Sequence, residues 1–192
     1  MRLFVAVNPP APAKQELVDA VEPLRELPGA DRLRWTEPAG WHLTLAFLGE
    51  VPADEVPALE HALARVAGEH PEHVLRLSGS GTFGERALWA GVEGEVRALR
   101  ELAAAVRRTL GAEDEEHGFH PHLTLARSGT TRGRRPGGPG GPGGRGELAA
   151  MADAMRGFRG REWRAGRIQL MRSETGYGPA RYTALEGWPL GT

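Results

Sequence analysis

One short stretch occurs twice in this chain, and it limits what the chain can fold into. His42-Leu43-Thr44-Leu45-Ala46-Phe47-Leu48-Gly49 returns as His122-Leu123-Thr124-Leu125-Ala126-Arg127-Ser128-Gly129. Apolar residues alternate with the others, and Thr favours a pleated surface, so each copy reads as a strand. Residues two apart on a strand share a face. The two leucines therefore mark a core face, and His and Thr share the opposite one. Nothing in sheet stability demands the same His-x-Thr twice. Two such strands side by side would bring two imidazoles and two hydroxyls into one cleft, a set suited to acid-base chemistry on a phosphate ester.

The remaining composition narrows the alternatives. The formal net charge is −1, so no global field draws the chain to nucleic acid or membrane. Lys14 is the only lysine among 24 basic residues, which reads as a coding bias toward Arg. Cysteine is absent, which excludes disulfides, thiolate metal sites and cysteine nucleophiles. The apolar start at residues 1–7 is too short for a signal or a membrane span, and Pro9, Pro10 and Pro12 close it. A cytoplasmic, monomeric protein without a membrane segment or protein partner is expected.

Taken in order, residues 2–7 form a strand with Leu3, Val5 and Val7 on one face and Phe4 and Ala6 on the other. Phe4 is thereby a candidate to stack on a base beside the cleft. Helical spacing covers 13–27 and 53–67, and 95–110 is rich in helix formers and stops at Gly111. Strands are expected at 33–35, 74–77 and 87–92, with a turn at 79–84. The segment 132–146 is nearly all Gly, Pro and Arg, with nothing to enter a core, and reads as a flexible surface loop. A helix at 147–158 and strands at 168–171 and 182–185 complete the chain. The expected fold is α+β: a two-lobed duplicated unit over residues 1–192, with antiparallel-rich sheets facing a central cleft and helices outside.

Other site chemistries fit less well. His117, His120 and His122 lie close together, but no carboxylate follows at a ligand spacing, so no metal is expected. Gly79-Ser80-Gly81 lacks the pattern of a nucleophile elbow. The Gly-rich loop lacks the Lys-Ser/Thr ending of a phosphate-cradling loop.

The motifs resemble those of the bacterial and archaeal RNA 2',3'-cyclic phosphodiesterases, historically the 2'-5' RNA ligases, in the two-histidine phosphoesterase superfamily. The likeness rests on 2–6, Trp41 through Gly49, Phe119-His120-Pro121-His122-Leu123-Thr124-Leu125-Ala126-Arg127, and the ending Arg172-Ser173-Glu174 with Arg181-Tyr182-Thr183. It implies metal- and cofactor-free hydrolysis of a 2',3'-cyclic phosphate on RNA ends or nucleotides to a 2'-phosphate. It also implies His122 as base, His42 as acid, and Thr44, Thr124 and Arg127 on the phosphate. In plain alternation Arg127 falls on the wrong side of its strand, so the resemblance alone assigns it. The long segment after Arg127 departs from the family. Two other readings stay open: 2'-5' RNA ligation by the same residues in reverse, and a nucleotide- or RNA-binding module without chemistry.

Overall fold

The structure, a computed structural model, describes residues 1–112, 118–129, 145–176 and 178–191. Its nine described strands are β1 (Arg2–Val7), β2 (Leu33–Trp35), β3 (Leu43–Glu50), β4 (His73–Phe83), β5 (Ala87–Gly94), β6 (His122–Ser128), β7 (Arg159–Ala165), β8 (Arg167–Glu174) and β9 (Arg181–Pro189). Four described helices accompany them: α1 (Ala11–Val21), α2 (Val56–Glu69), α3 (Val96–Leu110) and α4 (Arg145–Ala154).

The strands form two antiparallel sheets, one in the order β3-β1-β8-β9 and the other β2-β6-β5-β4-β7. Each lobe of the expected architecture is thus one sheet with its helices. The lobes are not successive halves of the chain, however. Both ends of the sequence build the first sheet, and the middle builds most of the second. β3 and β6, the two copies of the repeated motif, approach one another where the sheets meet.

A continuous core joins the sheets to the helices. Leu3, Val5 and Val7 of β1 meet Leu17 of α1, Leu63 and Val66 of α2, and Leu99, Leu102 and Val106 of α3. Leu43, Leu45, Leu123 and Leu125 are 0% exposed, so the leucine face of the motif is a core face in both copies. Truncating any of them to Ala would cost about 2–5 kcal/mol.

Several elements differ from their sequence reading. The first helix ends at Val21 and continues as a 3-10 turn over Glu22–Glu26. Pro23 explains this, since it has no N–H to donate and crowds the carbonyl four residues back. The expected turn at 79–84 is instead the far end of β4, which extends to Phe83. Gly79 adopts φ +67° beside a register shift in β4, so its glycines mark a bend in a strand. The expected helix at 147–158 runs over Arg145–Ala154. β7 has no counterpart in the sequence reading. The loop expected at 132–146 lies outside the described residues except for 145 and 146, which open α4.

Candidate active site

His42 and His122 are held in the same way. The carbonyl two residues earlier accepts a hydrogen bond from Nδ1 in each: Gly40 for His42 and His120 for His122, both at 2.7 Å. A carbonyl can only accept, so Nδ1 carries the hydrogen and Nε2 is the nitrogen that gains and loses a proton. Each ring is thereby fixed in tautomer by its own chain. Thr44 and Thr124 follow two residues on and, like the histidines, remain partly exposed between buried leucines.

Each copy also carries a β-bulge at its second leucine. Along β1 and β3 the pairing passes from Val5↔Ala46 to Ala6↔Thr44 and skips Leu45. Along β5 and β6 it passes from Leu88↔Ala126 to Trp89↔Thr124 and skips Leu125. An extra residue in one strand resets the alternation of faces. Leu45 and Ala46 are both buried, as are Leu125 and Ala126. Beyond the bulges, Phe47 and Arg127 turn outward and are exposed. This places Arg127 on the His122 face, where strict alternation would have put it in the core.

The two histidines sit in matching aromatic settings. Phe4 and Tyr182 lie 4.7 and 5.2 Å from His42, ring centre to ring centre. Phe47 flanks Phe4 at 6.3 Å. On the other sheet Phe83 meets His122 edge-on at 4.7 Å, and Trp89 lies 4.9 Å from His120. Gly81 allows this arrangement, since a Cβ there would fall 2.3 Å from the Trp89 ring. Phe4 itself is only 3% exposed and packs with Ala6, Met171 and Tyr182. It therefore backs His42 and offers no free face to a base. The exposed rings are Phe47, at 62%, and Phe83, at 38%, one on each sheet.

Electrostatics distinguish His42. Burial pushes its pKa down to about 4; the Gly40 carbonyl opposes, and the charges of Lys14, protonated His122 and Arg127 push further down. Cations from α1 and β6 are thus felt at the imidazole that leads into β3, in keeping with the approach of β3 and β6. Burial also lowers the pKa of Lys14, and no carboxylate pairs with it among the described residues.

The His42 shift has a consequence for stability. Above about pH 6.5 the imidazole is neutral whether the chain is folded or not. Between 6.5 and 4 the unfolded chain takes up a proton that the folded one refuses, so stability falls, and below about pH 4 it levels off. The expected loss is about 3 kcal/mol. Urea unfolding of wild type and His42→Gln from pH 7 to 4 should show their stability difference changing across this window. A difference constant with pH would contradict the shift.

Comparison with known proteins identifies the family. Residues 7–93 match the family model described as LigT like Phosphoesterase. The RNA 2',3'-cyclic phosphodiesterase of Thermus thermophilus is 40% identical over 143 residues, spanning 66% of this chain and 68% of the relative. The chain belongs to the LigT-like phosphoesterases. An E. coli LigT structure complexed with 3'-AMP matches this LigT-like phosphoesterase with TM-score 0.73 and 28% identity, covering 100% of the chain and 98% of its counterpart. The RNA 2',3'-cyclic phosphodiesterase of Geobacillus stearothermophilus is 41% identical over 100 residues, a match that spans 48% of this chain and 32% of the relative.

Of the expected site residues, Thr44 lies on β3 and His122, Thr124 and Arg127 on β6, while His42 immediately precedes β3. Sequence reasoning passed over Lys14, Phe83 and Trp89. No motif surrounds Lys14, and its partial burial shows only in the fold. Reading 79–84 as a turn hid Phe83. His117, one of the three clustered histidines, lies outside the described residues. Among the described residues, no three His, Cys, Asp or Glu side chains converge as a metal site.

Proposed function

We propose that this chain hydrolyses the 2',3'-cyclic phosphate of RNA ends or nucleotides to a 2'-phosphate, with His42 and His122 as the two proton carriers. The observation that carries this reading is the pair of imidazoles with identically fixed tautomers, one just ahead of β3 and one at the start of β6. Water loses a proton as it attacks phosphorus, and the departing 3' oxygen gains one. His122 takes the first proton and His42 supplies the second. With its pKa lowered to about 4, His42 is neutral at pH 7 in the free protein, so it depends on the substrate for its charge. The phosphate anion between the strands favours imidazolium and offsets the burial that disfavours it. Thr44 and Thr124 donate to the non-bridging oxygens, and Arg127 adds a charge-assisted bond where negative charge builds. Phe47 and Phe83 offer exposed rings to the bases.

The names of the relatives support the same reading, as does the likeness to a 3'-AMP complex. We read the protein as a cytoplasmic monomer acting without metal; among the described residues, no helix is long and apolar enough to cross a membrane. The deciding experiment is incubation with an oligonucleotide ending in a 2',3'-cyclic phosphate, with EDTA present. The expected product carries a 2'-phosphate and gains the mass of one water. An unchanged oligonucleotide, or turnover abolished by the chelator, would refute the proposal.

A further inference from the structure

The two bulges leave a carbonyl apiece that the sheet does not serve in the ordinary way, and the two copies solve this differently. In the second copy the Leu125 carbonyl accepts from the backbone N–H of Thr36, just past β2, at 2.9 Å. The neighbouring strand supplies that donor because β6 lies inside its sheet, between β2 and β5. The first copy has no such neighbour, since β3 is an edge strand. There the Leu45 carbonyl accepts from Nε of Arg107, also at 2.9 Å. A side chain from the last turn of α3 thus stands where a strand would.

Arg107 has a second contact on the other motif. Its guanidinium lies over the Phe119 ring, 4.9 Å from the centre. Phe119 precedes His120, whose carbonyl fixes the His122 tautomer. One residue therefore touches the bulge between Thr44 and Phe47 and the segment that leads into His122.

We propose that Arg107 is a positioning residue that holds the two His-Thr strands in register across the cleft, with Thr36 as its backbone counterpart on the second copy. A buried carbonyl without a donor costs about 1–3 kcal/mol, so a bulge lacking its partner would shift to find water. That shift would turn Thr44 and His42 away from the cleft. A misplacement of about 1 Å from a residue away from the chemistry can cost about 10²-fold in rate.

The catalytic part of this proposal rests on the proposed hydrolysis; the positioning part does not, and the two are read separately. Arg107→Met keeps an apolar stem over Phe119 and removes the donor. It should lower kcat by about 10–10²-fold with little change in KM. It should also let water reach His42. The His42 titration, followed by NMR of the ring proton without substrate, should then move up from about 4 toward 6.5. The groups facing that ring are Lys14 from α1, His122 and Arg127 from β6, and Tyr182 from β9, and none of them is altered. Arg107→Lys restores a donor and should recover both the titration and most of kcat. Thr36→Pro, which removes the matching N–H, should lower kcat without moving the His42 titration.

A folded Arg107→Met protein with wild-type kcat and an unmoved titration overturns the proposal. So does an Arg107→Lys protein that folds but remains as slow and as shifted as Arg107→Met. Should Arg107→Met fail to fold, the lysine variant decides by the same two readouts. If the wild type hydrolyses no cyclic phosphate, the functional reading fails, while the titration still judges Arg107.

Discussion

Replacing either histidine of the pair by alanine is expected to lower the rate by about 10²–10⁴-fold, because each removes a proton carrier from one transition state. The double variant should lose less than the product of the single losses, as groups that act as a unit do. The pH dependence separates the roles. The profile of kcat/KM reports the free enzyme, and that of kcat reports the loaded one. One pKa of the kcat/KM profile should be that of His42 and should lie low, near the value of about 4 set by burial. In kcat it should lie higher, because the bound phosphate anion favours the imidazolium. His42→Ala should remove this pKa from the profile, and His122→Ala the other. Thr44→Ala and Thr124→Ala should cost less, since each deletes only a neutral donor. A His42→Ala enzyme of full activity would sink the two-histidine mechanism. The His42 pKa at the same position in both profiles would sink the idea that substrate charges His42.

Local sequence pattern carried far where local physics decides. Leucines at 43, 45, 123 and 125 announce a buried face, and the two partly exposed histidines beside them follow from a period of two. α3 was legible from its composition and from Gly111, which ends it in the left-handed region at φ +65°. The strand β7 was not legible. Its charges at Arg159, Arg161, Glu162 and Arg164 outweigh Gly160, Trp163 and Ala165, which are the buried residues. It is an edge strand with one wet face, so its apolar signal amounts to one large residue. The interleaving of the sheets was illegible for another reason: which strand pairs with which is a long-range choice. A similar limit hid the bulges. Leu45-Ala46 and Leu125-Ala126 read as ordinary strand, and only a partner strand shows that one residue of each pair is skipped.

That skipped residue underlies the second large effect expected. Arg127 reaches the cleft face because Leu125 resets the alternation, and its charge is felt at His42 on the opposite sheet. During attack on phosphorus, negative charge grows on the non-bridging oxygens. A guanidinium held near that position before reaction would need little rearrangement to stabilise it. Arg127→Met should therefore lower kcat by about 10²–10³-fold, the range for losing one such donor. Arg127→Lys should recover only part of this, since a point charge lacks the planar fork that matches two phosphate oxygens. The same substitution to Met removes one of the cations that depress His42, so the pKa of kcat/KM assigned to His42 should move upward. Phe47 supplies the internal control. It occupies the position of Arg127 in the first copy, beyond the corresponding bulge, but carries a ring and no charge. Phe47→Ala should thus raise KM for nucleotide substrates, by the loss of about 1–3 kcal/mol of stacking, and leave kcat nearly intact. The measurement is steady-state kinetics on a cyclic mononucleotide and on a short oligonucleotide for all three variants. Full kcat in Arg127→Met would show that the bulge turns Arg127 to the surface without bringing it to the phosphate.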